Sequence, residues 1–252
     1  RVPAWALIAL GAGLAWGGLR VLAYQVAAAR LLHVPLPVGD LDVPHERTRT
    51  WQPRSELTDV LLEAWAARPL PDWQEEGKVN APRVVLAKLA LRQDLDAANA
   101  YLQAQRPWGR SGSTWERHPE GDYDFTLVPL TTLLYLYGES PDVLYPETRE
   151  HLLDVLLVEE GGAFTTKVPR TLGLVRETEN HLVMTAGSRY LKNRWLRLHG
   201  STDPRHDNAA NGLEAKLLDV LNEFRTAGFY EFNSIPYDGY MLTGLLNLDA
   251  FG

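Results

Sequence analysis

From residue 55 onward, apolar side chains recur mainly three and four positions apart, the period of helices with one buried face. Ser55 caps a first helix carrying Leu57, Val60, Leu61, Ala64 and Trp65. Pro82 suits a first helical position and opens one long run through Val85, Leu86, Leu89, Leu95, Ala98 and Leu102. Phe125 to Tyr137 is apolar on nearly every side, the mark of a deeply buried helix, with Pro129 inside it and Gly138 closing it. Pro146 starts a further helix with Leu152, Leu153, Val155 and Leu156, which Gly161-Gly162 ends. The β-branched stretch from Ala163 to Val175 reads as a short hairpin.

Thr178 stands as the N-cap of a helix that buries Leu182, Val183, Ala186 and Tyr190 and runs to about His199. Leu213, Leu217, Leu218, Leu221 and Phe224 mark the next helix, stopped by Gly228. A last one starts near Asp238 and carries Tyr240, Leu242, Leu245, Leu246 and Leu248. About seven helices with hardly any strand predict a mainly α fold, and successive antiparallel hairpins favour an α/α layered array over a compact four-helix bundle. No repeat of fixed period is visible.

The N-terminal part has a different texture. Val2 to Leu19 is an uncharged, mostly apolar run between Arg1 and Arg20, at the lower length limit of a membrane-spanning helix. Ala27-Ala28-Ala29 offers a small-residue cleavage site. Residues 1–32 therefore read as a signal peptide or membrane anchor, 33–54 as a Pro-rich linker and 55–252 as the helical domain. The expected location is extracytoplasmic: secreted, periplasmic or anchored through residues 2–19. A start on Arg1 and an end inside an apolar run at Phe251-Gly252 suggest sequence missing on both sides.

Composition narrows the chemistry. A net charge of −7 without a basic stripe argues against a nucleic-acid binder. The absence of cysteine removes thiolate nucleophiles and Cys-ligated metals. His199, Asp203, His206 and Asp207 match no standard zinc spacing, and no Gly-rich phosphate loop occurs, so neither metal nor cofactor is expected.

Three segments carry candidate chemistry. Glu177-Thr178-Glu179-Asn180-His181 packs two carboxylates, an amide and an imidazole before a helix. Residues 228–240 bring Phe229, Tyr230, Glu231, Phe232, Asn233, Tyr237, Asp238 and Tyr240 into one loop, and Trp108 to Tyr123 adds Arg110, Trp115, Arg117, His118 and Asp122. Aromatic faces among hydrogen-bonding groups suit a sugar. Glu177 also has a purely electrostatic use, as an acid at a helix N-terminus that pairs with His181 four residues on.

Glu179-Asn180-His181 opening a helix, followed by Gly228-Phe229-Tyr230-Glu231-Phe232-Asn233-Ser234 and Tyr237, resembles the bacterial α/α-toroid carbohydrate-active proteins, with the toroid domains of polysaccharide lyases as the nearest analogy. The resemblance covers roughly residues 55 to 252 and implies a toroid of helical hairpins, incomplete in this chain, with a cleft at one end. It implies β-elimination on a uronate-containing polysaccharide: Asn180 neutralises the uronate carboxylate, His181 is the base and Tyr237 the acid. Trp115, Arg117, Tyr123, Tyr230, Asn233 and Tyr240 are then the substrate-binding candidates. Glu179 departs from the lyase pattern by adding negative charge, and with Glu231 or Asp238 it suits an inverting glycoside hydrolase of the same fold. A non-catalytic glycan-binding envelope protein is the remaining alternative.

Overall fold

The computed structural model describes residues 11, 13–22, 56–113, 121–158, 165–166, 175–229 and 234–252. They fall into two compact units, one holding the N-terminal helix and residues 222–229, the other residues 56–221 and 234–252. In the first, residues 13–22 form helix α1, and Phe224 meets Phe229 edge to face at 5.3 Å. No described helix is long and apolar enough to cross a membrane. Residues 2–10, 12 and the whole 33–54 linker lie outside the described residues.

The second unit is mainly helical, as its apolar periodicity predicts. Its helices are α2 (Glu56–Ala66), α3 (Trp73–Glu76), α4 (Asn80–Leu91), α5 (Leu95–Gln103), α6 (Asp124–Tyr137), α7 (Pro146–His151), α8 (Glu179–Leu198), α9 (Leu213–Ala227, entering the first unit at Asn222) and α10 (Tyr237–Phe251). A π-helical turn, Leu152–Leu156, continues α7, and Pro204–His206 form a 3₁₀ turn. The expected hairpin has a two-residue core, β1 (Thr165–Thr166) antiparallel to β2 (Val175–Arg176).

Local chemistry sets most boundaries. Asp72 caps α3 by accepting from the amides of Gln74 and Glu75. Pro146 sits in the first turn of α7. Gly228, at φ +76°, takes the left-handed conformation that ends α9. The run expected to be one helix from Pro82 to Leu102 is two. Arg92 and Asp94 have φ of +56° and +50°, and the amides of Arg92 and Gln93 close α4 on the carbonyls of Leu89 and Lys88. Buried Lys88 then donates to both the Ala66 carbonyl at 2.7 Å and Asp94 at 2.8 Å. Its charge thus meets the negative end of α2 and fixes the break.

Four helices run in the same direction. Phe125 meets His181 at the starts of α6 and α8, and Tyr135 donates to the Leu191 carbonyl further along both. Phe125 also meets Tyr240 at 4.6 Å, while Tyr135 stacks on Phe251 at 4.7 Å, so α10 follows the same course. Lys78 and Gly77, just before α4, reach Asp122 and Thr126 at the start of α6, and Arg92 after α4 pairs with Asp142 beyond its end. Gly244 lets α8 and α10 close up: a Cβ there would sit 2.9 Å from Val183 Cγ1. The all-round apolar α6 runs through the core, its Leu127, Leu130, Leu133 and Leu134 packing with Val85, Leu89, Leu102 and Leu152. The N-termini of α4, α6, α8 and α10 therefore share one end.

The apolar face expected for the first helix does not find cover among the described residues: Leu57, Val60 and Leu61 of α2 are exposed. Polar pins reach the core instead. Asn99, fully buried, donates to the carbonyls of Leu95 and Val143 and accepts from the Tyr145 amide, tying α5 to the start of α7. Asn99→Ala leaves the Val143 carbonyl and the Tyr145 amide buried and unpaired, and should cost about 2 to 3 kcal/mol in urea unfolding. Gln103→Ala, which removes a bond from an exposed residue to Thr148, should cost under about 1 kcal/mol.

Candidate functional site

The shared end of the parallel helices collects the polar residues. Four N-termini set a positive potential there, which favours anionic side chains. Thr178 occupies the N-cap position of α8, but its hydroxyl donates to Asn180 Oδ1 at 2.6 Å and makes no capping bond.

His181 is the centre of the arrangement. Its Nδ1 lies 2.6 Å from Oδ2 of Asp124, the first residue of α6, and Asp124 has no exposed surface at all. The second Asp124 oxygen accepts from the Gly112 amide at 3.2 Å. Asp124 is placed to accept the Nδ1–H of His181, which orients the ring and leaves Nε2 as the working nitrogen. Nε2 lies 3.7 Å from Asp122, whose other oxygen holds Lys78 Nζ at 2.6 Å. Lys78 also sits 4.4 Å from the centre of the Phe125 ring. Asp122 takes a left-handed backbone, φ +75°, which turns its carboxylate toward both partners.

Electrostatics separate the two members of the pair. Burial pulls the His181 pKa down, but the hydrogen bond and charge of Asp124, with the charges of Glu177 and Asp122, more than offset it and raise it above the ordinary histidine value. Burial pushes the Asp124 carboxyl up, against the opposing pull of His181 and the Gly112 amide. The resting imidazole is therefore biased toward its protonated form.

Glu177 does not pair with His181 by hydrogen bond, as the four-residue spacing suggests. It accepts from the Ser113 hydroxyl, from the Ser113 amide at 3.2 Å and from the Thr178 amide at 2.9 Å, clamping the 110–113 segment to the start of α8. Gly112 is required in this clamp: it has φ +96°, and a Cβ would sit 3.0 Å from Glu177 Oε2. The segment is tied again by the Asp122 amide on the Gly112 carbonyl and the Tyr123 amide on the Arg110 carbonyl.

The other sequence candidates are placed differently. Glu179 and Asn180 are buried beside His181 in the first turn of α8. Tyr240 packs edge to face on Phe125, two rings from His181, and lines an apolar cavity of about 260 Å³ with Lys78 and Met184. Tyr237 opens α10 at the same end and is 43% exposed. Tyr123 is swallowed by the core: it is 1% exposed, and its hydroxyl donates to the Leu156 carbonyl, so it presents no face to a ligand. Trp115, Arg117, Tyr230, Glu231 and Asn233 lie outside the described residues. Asp124 and Lys78 were not legible as site residues. The available hint was a carboxylate at the threshold of the most apolar helix, which is costly unless paired.

Asp203 is occupied by Arg205, and Ser201 bonds His206; no group of three or more His, Asp or Glu among the described residues is arranged to hold a metal ion. No protein-family model, no curated protein and no solved structure matches the chain.

Because the folded pKa of His181 is raised, its contribution to stability is complete below the unfolded histidine pKa of about 6.5 and is lost as pH rises through the folded value. Urea unfolding between about pH 5 and pH 9 should show that decline, and Asp124→Asn should flatten it.

Proposed function

We propose that this chain is the helical part of an exported or membrane-anchored carbohydrate-active enzyme that cleaves a uronate-containing polysaccharide by β-elimination. The observation that carries the reading is His181 held by the buried Asp124 at 2.6 Å, at the end where four parallel helices begin. A row of parallel helices with return segments between them is what the inner wall of an α/α toroid requires, and the resemblance at Glu179-Asn180-His181 falls at its polar end. Export or anchoring rests on the apolar run from Val2 to Leu19.

The chemistry follows from the ring orientation. With Nδ1–H bonded to Asp124, neutral His181 uses Nε2 to take the proton from the carbon next to the uronate carboxylate. The electron pair left behind forms a carbon–carbon double bond, the bond to the glycosidic oxygen breaks, and the Tyr237 phenol protonates that oxygen. Negative charge developing on the uronate is met by the helix N-termini and by Lys78. Asn180 is buried and its carbonyl oxygen accepts from the Thr178 hydroxyl, so neutralisation falls to those groups.

One observation favours a second reading. Asp122, Asp124, Glu177 and Glu179 crowd the same end, and Asp122 is partly open to solvent, 3.7 Å from His181 Nε2. An acid-rich site of this kind suits hydrolysis of a less anionic glycan, with the carboxylates as acid and base.

The full-length protein incubated with a panel of uronate polymers should release products that absorb in the near ultraviolet through the new double bond. Reducing ends without that absorbance support the hydrolase, and neither signal from any polymer sinks the enzymatic reading. His181→Gln should lower turnover by about 10² to 10⁴. Since the base must lose a proton held above the usual value, kcat/KM should rise with pH along a limb above about 6.5, which Asp124→Asn shifts to lower pH.

A further inference from the structure

A second concave site lies further along α8. It is a cavity of about 460 Å³, within the range of small-molecule sites, and its lining includes Arg189 and Lys192 from α8, Arg205 and His206 from the 3₁₀ turn, and Lys216 from α9. Asn193 and Asn211 also line it, and among the described residues no carboxylate does. Arg189 is eight residues beyond His181, roughly 12 Å along a helix axis, so this is a place distinct from the Asp124–His181 pair.

Charge makes the cavity unusual for this chain. The protein carries a net −7, yet basic residues from three elements line one cavity. An anionic occupant matches such a lining in charge, and a neutral one does not. The donors also differ in kind. Guanidinium groups form paired hydrogen bonds to oxyanions, ammonium groups act as point charges, and side-chain amides suit hydroxyls.

The framework around the cavity is tied down. Asn193 donates to Asn208 at 2.8 Å, Asn208 donates to the Tyr190 carbonyl, and Asn211 donates to the Arg205 carbonyl. Asp203 holds the Arg205 guanidinium through three contacts, so Arg205 is fixed in place and part of its charge is already offset. Arg189, Lys192 and Lys216 also take part in interactions within the protein, Lys192 reaching the Leu157 carbonyl at 3.4 Å. A ligand here exchanges with existing contacts.

We propose that this cavity binds a saccharide-sized organic oxyanion, one that carries a phosphate, sulfate or carboxylate group beside hydroxyls. The anionic group meets Arg189, Lys192 and Lys216, and the hydroxyls meet Asn193 and Asn211. The proposal does not depend on the β-elimination reading, because the cavity lining does not include His181, Asp124, Asp122 or Glu177.

Isothermal titration of the full chain at low ionic strength tests it, with glucose 6-phosphate, galacturonate, inorganic phosphate and glucose as probes. Saturable binding of one of the sugar anions is expected, tighter than inorganic phosphate, weakened by added salt and absent for glucose. Exposed Arg189→Gln and Lys216→Gln, separately and together, should fold normally, and the pair should weaken binding at least about tenfold. His181→Gln should leave binding intact, so loss of turnover and loss of anion binding are separable. Inorganic phosphate bound as tightly as both sugar anions overturns the saccharide part. No saturable binding of any anion, or binding indifferent to the Arg189/Lys216 pair, overturns the site.

Discussion

The hydrogen bond between Asp124 and His181 is the interaction on which the polar end of the molecule depends. A carboxylate with no exposed surface at the head of an apolar helix is costly unless it is matched by donors of opposite or partial positive charge. His181 supplies one such donor and the Gly112 amide another. The same bond orients the imidazole, raises its pKa and joins α6 to α8 at their starts. Lys78, Asp122 and Glu177 then arrange themselves around a ring whose position is already set.

This pairing is possible because four helices begin at one end. The chain returns between them each time, so the N-terminus of each of the four helices joins the previous ones. The resulting positive potential accommodates an excess of carboxylates that would otherwise repel one another. Gly244 lets α10 lie close against α8, and buried Asn247 locks α10 to α6 through the Val128 carbonyl and Thr132. Placement of the start of α10, with Tyr237 and Tyr240, at the His181 end thus follows from backbone approach and polar pins.

Helices were the legible part, because periodic apolar residues and terminators act locally. Thr178, Pro146, Gly138 and Gly228 stand where helices start or stop. The break at Arg92–Asp94 was hidden: neither residue is Gly or Pro, and it is the long-range bond from Lys88 to Ala66 that rewards it. His181 was visible as a dense polar signal at a helix start, yet its partner lies 57 residues away in sequence and its local neighbour Glu177 is used elsewhere. Tyr123 misled for a related reason. An aromatic in a polar loop reads as a ligand platform until a buried carbonyl claims its hydroxyl. Partners distant in sequence decide roles, and periodicity carries no information about them.

Asp124 fixes the His181 ring with a proton on Nδ1 and raises its pKa. Nitrogen-resolved NMR titration of the His181 imidazole measures both directly, in the native chain and in Asp124→Asn. A midpoint above about 6.5 with Nδ1 protonated throughout, falling when Asp124 loses its charge, is the predicted result. A midpoint at or below that value in the native chain, unchanged in the variant or with the neutral ring protonated on Nε2, would contradict it.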